Sequence, residues 1–318
     1  KALNMGLYSS TILTAVFAFL LVRYLEYDIG IFYSTISGLI AGLLIGLFTE
    51  YMTSNENKPT QSIAIAAKTG AGTNVIQGMA VGMISTFLPV LSVSIAVLIA
   101  YKFSGLYGIA IAGVGMLSTL GIILAIDTYG SVSDNAAGIA EMSGLGKSVR
   151  EKAELLDAVG NTTAAIGKGF AIGSAALTAL ALYSSFSGAT GGAVMTLADE
   201  RVIAGLLIGG VLPFLFSSFA MSAVGKSAGE IVNEVRRQFK EIKGLMQGKA
   251  KPDYNQCIAI STRGALKQML VPSLLAILSP IVIGIFMGKE ALGGLLIGSI
   301  VTGFALAVFL ANSGGAWD

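Results

Sequence analysis

The sequence predicts an all-α fold, a polytopic transmembrane helix bundle with about eight spanning helices. Three observations predict it. The 318 residues are 54 % hydrophobic and only 12 % charged, about half the charged fraction of a soluble domain. Apolar runs long enough to cross a hydrocarbon core, which needs about 20 residues each, follow one another along the chain. The 41 glycines fit helices packed closely in lipid, where small residues let backbones approach.

The runs span Leu7 to Leu25, Phe32 to Tyr51, Val75 to Ala100, Leu106 to Ile126, Leu156 to Phe186, Val202 to Met221, Ala259 to Met287 and Leu292 to Leu310. Two intervening stretches, Ser131 to Glu154 and Ala223 to Tyr254, are too polar for lipid and too long for tight turns. In the second, Ile231, Val235, Phe239, Ile242 and Leu245 recur at helical spacing with charged residues on other faces, which predicts an amphipathic helix. Residues 1–318 are therefore read as one membrane domain, with 223–254 as a cytoplasmic helical extension. The mixed charge of that extension also fits a spanning helix simply continued into the cytosol.

Basic residues favour the cytoplasmic side. If alternate loops face opposite sides, Lys58, Lys147, Arg150, Lys152 and the cluster from Lys226 to Lys251 collect on one of them. The loops near Lys58, Lys147 and Arg236, and the end at Asp318, are expected there, and the Ser187 to Glu200 loop outside. Net charge is +2, so no global field points to nucleic acid. Cys257 is the one cysteine and histidine is absent. Disulfides within the chain, thiolate clusters and imidazole chemistry are thereby excluded, leaving carboxylates, amides and Lys. No charged stretch followed by a short apolar core and cleavage site opens the chain, so no signal peptide is expected. Both ends read as cuts within a longer polypeptide.

Ionisable groups inside apolar runs cost about 2.5 to 3.5 kcal/mol on insertion scales and need a partner or water. In the fifth run Asp157, Asn161, Ala164 and Lys168 fall on one stripe of a helix. Asp127 and Asp134, seven apart, share a face if the fourth helix continues through Gly130. Carboxylates meeting an amide oxygen suit Mg²⁺ rather than zinc, and a Lys deeper in the helix could hold a phosphate. The same residues would also serve as a buried Asp–Lys pair fixing helix register. GNTTAAIGKG, Gly160 to Gly169, fails as a nucleotide loop: Thr162 stands at the first Gly position, and Gly169 replaces the metal-binding Ser/Thr.

DTYGSVSDNAAGIAEM (Asp127 to Met142), the stretch from Leu155 to Leu182, KPDYNQCIAIST (Lys251 to Thr262) and ANSGGAWD (Ala311 to Asp318) closely resemble the membrane-bound, H⁺- or Na⁺-pumping pyrophosphatases. The resemblance implies sixteen helices per subunit, of which these would be the eighth to fifteenth, paired as a homodimer embedded in membrane lipid. It implies a cytoplasm-facing site for magnesium pyrophosphate. By motif, Asp134 and Lys168 would be catalytic, Lys168 and Asn161 would bind substrate, and Asp134, Asn161 and Asp318 would hold metal. Asp127 and Asp157 would support them. Ala164 stands where potassium-requiring members have Ala and potassium-independent ones Lys, so K⁺ activation is implied. Ser131 replaces a usual Pro and Ala137 a usual Gly, and the lysines that follow the AWD motif are absent. A secondary transporter using the intramembrane Asp, Asn and Lys, and a structural subunit, are the alternatives.

Overall fold

The computed structural model describes residues 2–191 and 196–317. Among them the secondary structure is helical throughout: α1 (Ala2–Tyr24), α2 (Ile29–Thr53), α3 (Lys58–Ala67), α4 (Ala71–Ser85), α5 (Phe87–Leu117), α6 (Leu120–Met142), α7 (Lys147–Ala189), α8 (Glu200–Glu241), α9 (Tyr254–Gln268) and α10 (Leu270–Trp317). Six stretches among the described residues are long and apolar enough to cross a membrane.

Two of those stretches, of 47 and 64 residues, would rise about 70 and 96 Å if straight, far beyond a hydrocarbon core of about 30 Å. Both contain a break. At Ser104–Gly105 the backbone leaves the helix, Gly105 taking φ +60°, a conformation that glycine alone adopts without strain. A Cβ on Gly108 would meet the Ala100 carbonyl, so the two limbs of α5 lie side by side. Gly288 (φ +87°) breaks α10 likewise, and a Cβ on Gly284 would lie 3.3 Å from Leu292. The eight apolar runs thus map onto these helices and limbs.

Three runs differ in detail, each being a tandem of two helices. The third breaks at Thr86 between α4 and α5, the fourth at Ser118–Thr119, and the seventh at Met269. A proline ring clashes with the carbonyl four residues earlier. Pro89 therefore stops α4 at Ser85, and Pro272 stops α9 at Gln268. In α8 and α10, by contrast, Pro213 and Pro280 lie inside continuous helix.

The described residues fall into two compact units, Lys1–Ala193 with Phe304–Asp318, and Val194–Gly303. In the first, α2 runs between both limbs of α5 and α7. Backbones touch where side chains are small: a Cβ on Gly38 would strike Ala112, and one on Gly115 would strike Thr35. Ile45, Met116, Phe170 and Leu177 form the core, with the Phe170 ring lying over Gly42 and Gly46. Two buried serines of α2 bond to its own backbone, Ser34 to the Gly30 carbonyl at 2.9 Å and Ser37 to that of Ser34 at 2.7 Å.

In the second unit α8 packs on the later limb of α10 through Gly205 on Ala291 and Gly209 on Leu295. Ser299 adds a bond to the Gly209 carbonyl at 3.1 Å. Beyond the apolar run α8 continues unbroken to Glu241. There the buried Gln238 donates to the Asp253 carbonyl (2.9 Å) and accepts from its N–H (2.8 Å), tying α8 to the start of α9. Arg237 bridges Glu234 and Glu241, both at 2.7 Å.

Replacing Gly38 by Leu is expected to destabilise the detergent-solubilised protein by about 1–3 kcal/mol or more, through overpacking against the Ala112 backbone. Gly72→Ala, where a Cβ meets nothing within 4 Å, is expected to be neutral or stabilising by up to about 1 kcal/mol. Thermal unfolding of the two variants checks the contrast.

Candidate active site

Helices α6 and α7 form a hairpin that carries most of the predicted polar residues. Its turn at Ser143–Gly146 is flanked by exposed ion pairs from Arg150 to Glu141 (3.3 Å) and Glu154 (2.7 Å). Such exposed pairs add about 1 kcal/mol or less each. What holds the helices together is close packing at Gly130 and Gly160. A Cβ on Gly160 would lie 2.6 Å from the Gly130 Cα and 2.7 Å from Ser133 Oγ, and one on Gly130 would lie 2.8 Å from the Gly160 carbonyl. Since α6 does continue through Gly130, Asp127 and Asp134 share one face of it.

Asp127 is half-buried against α7, its Cβ being 3.7 Å from where a Gly167 Cβ would stand. Asp134 follows the buried Ser133, about 100° round the helix, and is exposed. On α7, Asp157, Asn161 and Ala164 are half-buried, while Lys168 is exposed between the buried Gly167 and Gly169. Among the described residues Asp134 and Lys168 have no hydrogen-bond or ion-pair partner in the structure.

Asp157 and Asn161 line a cavity of about 350 Å³ together with Thr53, Asn55, Thr60, Asn74 and Trp317, within the usual size of ligand sites. Its far wall is the α3–α4 hairpin, fastened by a bond from Gln77 to Ser62 at 2.9 Å. The tip of α10 closes it, with the Trp317 indole donating to Asn74 Oδ1 at 3.2 Å. Asp134 and Lys168 are not part of the lining. Lys168 lies seven residues, about 10 Å of rise, beyond Asn161. Asp318 falls outside the described residues.

The cavity is lined by oxygen donors, the Asp157 carboxylate, three asparagine amides and threonine hydroxyls, a set suited to a hard cation. Among the described residues no three Asp, Glu, Cys or His side chains converge on one point. These residues therefore fit part of a magnesium shell, with waters or further carboxylates as the remaining ligands. Sequence reasoning missed Asn55, Thr60, Asn74 and Trp317. They lie outside or at the edges of the apolar runs, where ordinary loop polarity masks them. The only available sign was the AWD motif, of which Trp317 is the middle residue.

Comparison with known families matches the description "Inorganic H+ pyrophosphatase" over residues 1–318. The chain belongs to this family. Similar relatives include a K⁺-stimulated pyrophosphate-energized sodium pump of Thermotoga maritima, 46 % identical over 342 residues, covering 100 % of this chain and 47 % of the relative. A K⁺-insensitive pyrophosphate-energized proton pump of Methanosarcina mazei is 46 % identical over 328 residues, covering 100 % and 49 %. A Clostridium tetani protein, described provisionally as a K⁺-stimulated pyrophosphate-energized sodium pump, is 49 % identical over 326 residues, covering 100 % and 48 %. The chain spans about half the length of these relatives. Family membership and the long apolar helices together make it a multi-pass integral membrane protein.

With Cys257 changed to Ser, a cysteine placed at Thr60 is expected to react readily with a membrane-impermeant maleimide applied to inside-out vesicles. One placed at Leu98, exposed on an apolar stretch of α5, is expected not to react. Comparison of the two labelling rates checks that the cavity is hydrated.

Proposed function

We propose that the protein, at its natural length, hydrolyses magnesium pyrophosphate to two phosphates at its cytoplasmic face and couples this to outward movement of H⁺ or Na⁺. One observation carries the reading, the family match along all 318 residues, and the site chemistry agrees with it. The cavity is lined by a carboxylate and an amide on α7, with the amides of Asn55 and Asn74 opposite, and by no histidine or cysteine among the described residues. Magnesium bound there would neutralise phosphate charge and polarise the bond to the leaving group.

The chain's own residues divide the work by position. Asn161 is the amide that orients a metal-bound phosphate or the attacking water, and Asp157, one turn away, holds it in place. Asp134, exposed on α6, supplies a further carboxylate, as does Asp318 after Trp317. Asp127 supports α7 from behind Gly167. Lys168 is the cation that grips a phosphate oxygen, by charge rather than by shape. A homodimer is part of the same proposal, resting on family resemblance. The family match leaves the solute-coupled transporter reading without support.

Relatives of nearly equal identity divide between K⁺-stimulated and K⁺-insensitive pumps, so identity alone does not choose. Ala164, one turn short of Lys168, favours K⁺ activation, because a tethered ammonium at 164 could replace the ion and a methyl group cannot.

Pyrophosphate added to sealed vesicles is expected to drive cation uptake, and repeating the assay with Na⁺ withheld identifies the ion. Absence of phosphate release in the presence of Mg²⁺ overturns the proposal. Lys168→Ala is expected to abolish hydrolysis, a near-normal rate being inconsistent with its role. Ala164→Lys is expected to give a pump whose rate no longer rises with K⁺, measured by phosphate release with and without the ion.

A further inference from the structure

We propose that Asn312 and Thr49 bind a water molecule inside the bundle, one helical turn deeper than the cavity, and that this water joins α10 to α2. The inference goes beyond the pyrophosphatase reading and does not depend on it. Both side chains are enclosed, Asn312 being 1 % exposed and Thr49 0 %. Neither Oδ1 nor Nδ2 of Asn312 has a hydrogen-bond partner among the described residues, and Thr49 Oγ1 has none either. The other buried hydroxyls of α2 are satisfied by backbone: Ser34 and Ser37 as above, and Thr53 by donating to the Thr49 carbonyl at 2.8 Å. Sealed polar groups are with few exceptions paired, so an orphaned amide beside an orphaned hydroxyl points to a shared guest.

Packing brings the two together. The end of α10 runs alongside α2 in the same direction, Phe304 packing on the core that contains Ile45, and Ala316 clustering with Met52. Gly315 meets α2 as well, its Cβ position lying 3.2 Å from Thr53 Cγ2. Asn312 precedes Gly315 by three residues and Ala316 by four, which puts it on the same face of α10. Thr49 stands in the same relation to Met52 and Thr53 on α2. The two side chains therefore enter the α2–α10 interface at one level. On the α7 side of Thr49 is Gly169, whose Cβ position is 3.0 Å from Thr49 Oγ1. Thr53, Gly315 and Ala316 line the cavity, so Asn312 and Thr49 lie about 5.4 Å further into the bundle.

The chemistry of the orphaned atoms selects the guest. An amide needs a donor for its oxygen and an acceptor for its N–H groups. A monovalent cation would suit Oδ1 and Thr49 Oγ1 but would be repelled by the Nδ2 hydrogens, and an anion would leave Oδ1 without a donor. Water both donates and accepts. Buried waters make about three hydrogen bonds to polar groups that have no other partner, and Asn312 supplies two of these and Thr49 a third. The result is a polar tie between two helices that otherwise meet through methyl groups and glycine, placed directly behind the wall that Gly315 and Ala316 give the cavity.

The test compares thermal unfolding of Thr49→Val, Asn312→Leu and the double variant in the natural-length, detergent-solubilised protein. Val keeps the shape of Thr and removes the hydroxyl. If the two groups were sealed without a guest, apolar replacements of like shape would leave stability unchanged or raise it. With a bridging water, each single variant is expected to lower the melting temperature by about 2–4 °C, and Thr49→Ser to retain the wild-type value. The double variant is expected to be little worse than either single one, because both break the same bridge. An unchanged or raised melting temperature in either single variant overturns the inference, as do losses that add in the double. A wild-type melting temperature that rises with Na⁺ or K⁺, and does not in Asn312→Leu, assigns the site to a cation and overturns it as well. A second measurement needs no variant: a density map of the natural-length protein that shows ordered solvent is expected to hold a peak within about 3 Å of both the Asn312 amide and Thr49 Oγ1. Finding the two side chains bonded directly to each other, or enclosed by carbon alone, overturns the inference and leaves the pyrophosphatase reading intact. Phosphate release decides that reading separately.

Discussion

Everything in this fold depends on helix backbones approaching one another at glycine. Lipid chains are as apolar as leucine, so burial of greasy side chains gives helices in a membrane little reason to associate. What remains is dispersion between closely fitted surfaces, which falls away over an ångström. Gly38 on Ala112, Gly130 on Gly160 and Gly205 on Ala291 are places where a single added methyl group would occupy space already filled by a neighbouring backbone. The charged residues of the α6–α7 hairpin are secondary to this, because its exposed ion pairs are solvated and screened.

The same packing explains how polar chemistry is carried on such an apolar chain. Gly160 brings α7 against α6 and leaves Asn161, the next residue, turned toward the cavity. Gly167 faces Ile123 and Asp127 of α6 across the contact, and Lys168, the next residue, is exposed outside the cavity. Glycine on the packed face and a polar residue beside it on the free face is a repeated arrangement along α7. It lets the ionisable groups stay near water while the helix remains in its bundle, as the cost of placing charge in hydrocarbon requires.

The tip of α10 follows the same logic from the other direction. Gly315 enters a gap between two helices too narrow for a side chain, and Trp317 then spreads over Gly78. The largest side chain of the chain and two of its smallest residues form one joint, beside a cavity of about 350 Å³.

The sequence by itself determined that this is a helical membrane protein, how many apolar runs it has, and which polar and ionisable side chains lie within or beside them. Those properties are local: apolar length is counted along the chain, and the stripe Asp157, Asn161, Ala164, Lys168 follows from helical periodicity alone. The breaks at Thr86 and Met269 were legible in principle, since Pro89 and Pro272 act on carbonyls four residues back. Only the tertiary structure decided which polar residues meet. Asp157 and Asn161 share a cavity with Asn74 and Trp317, while Asp134 and Lys168 stand outside it. Asn74 and Trp317 are 243 positions apart, and no periodicity links residues at that distance. Their contact exists because Gly78 and Gly315 permit a close approach, and the fit of one helix surface into another is a property of the assembled bundle rather than of any segment.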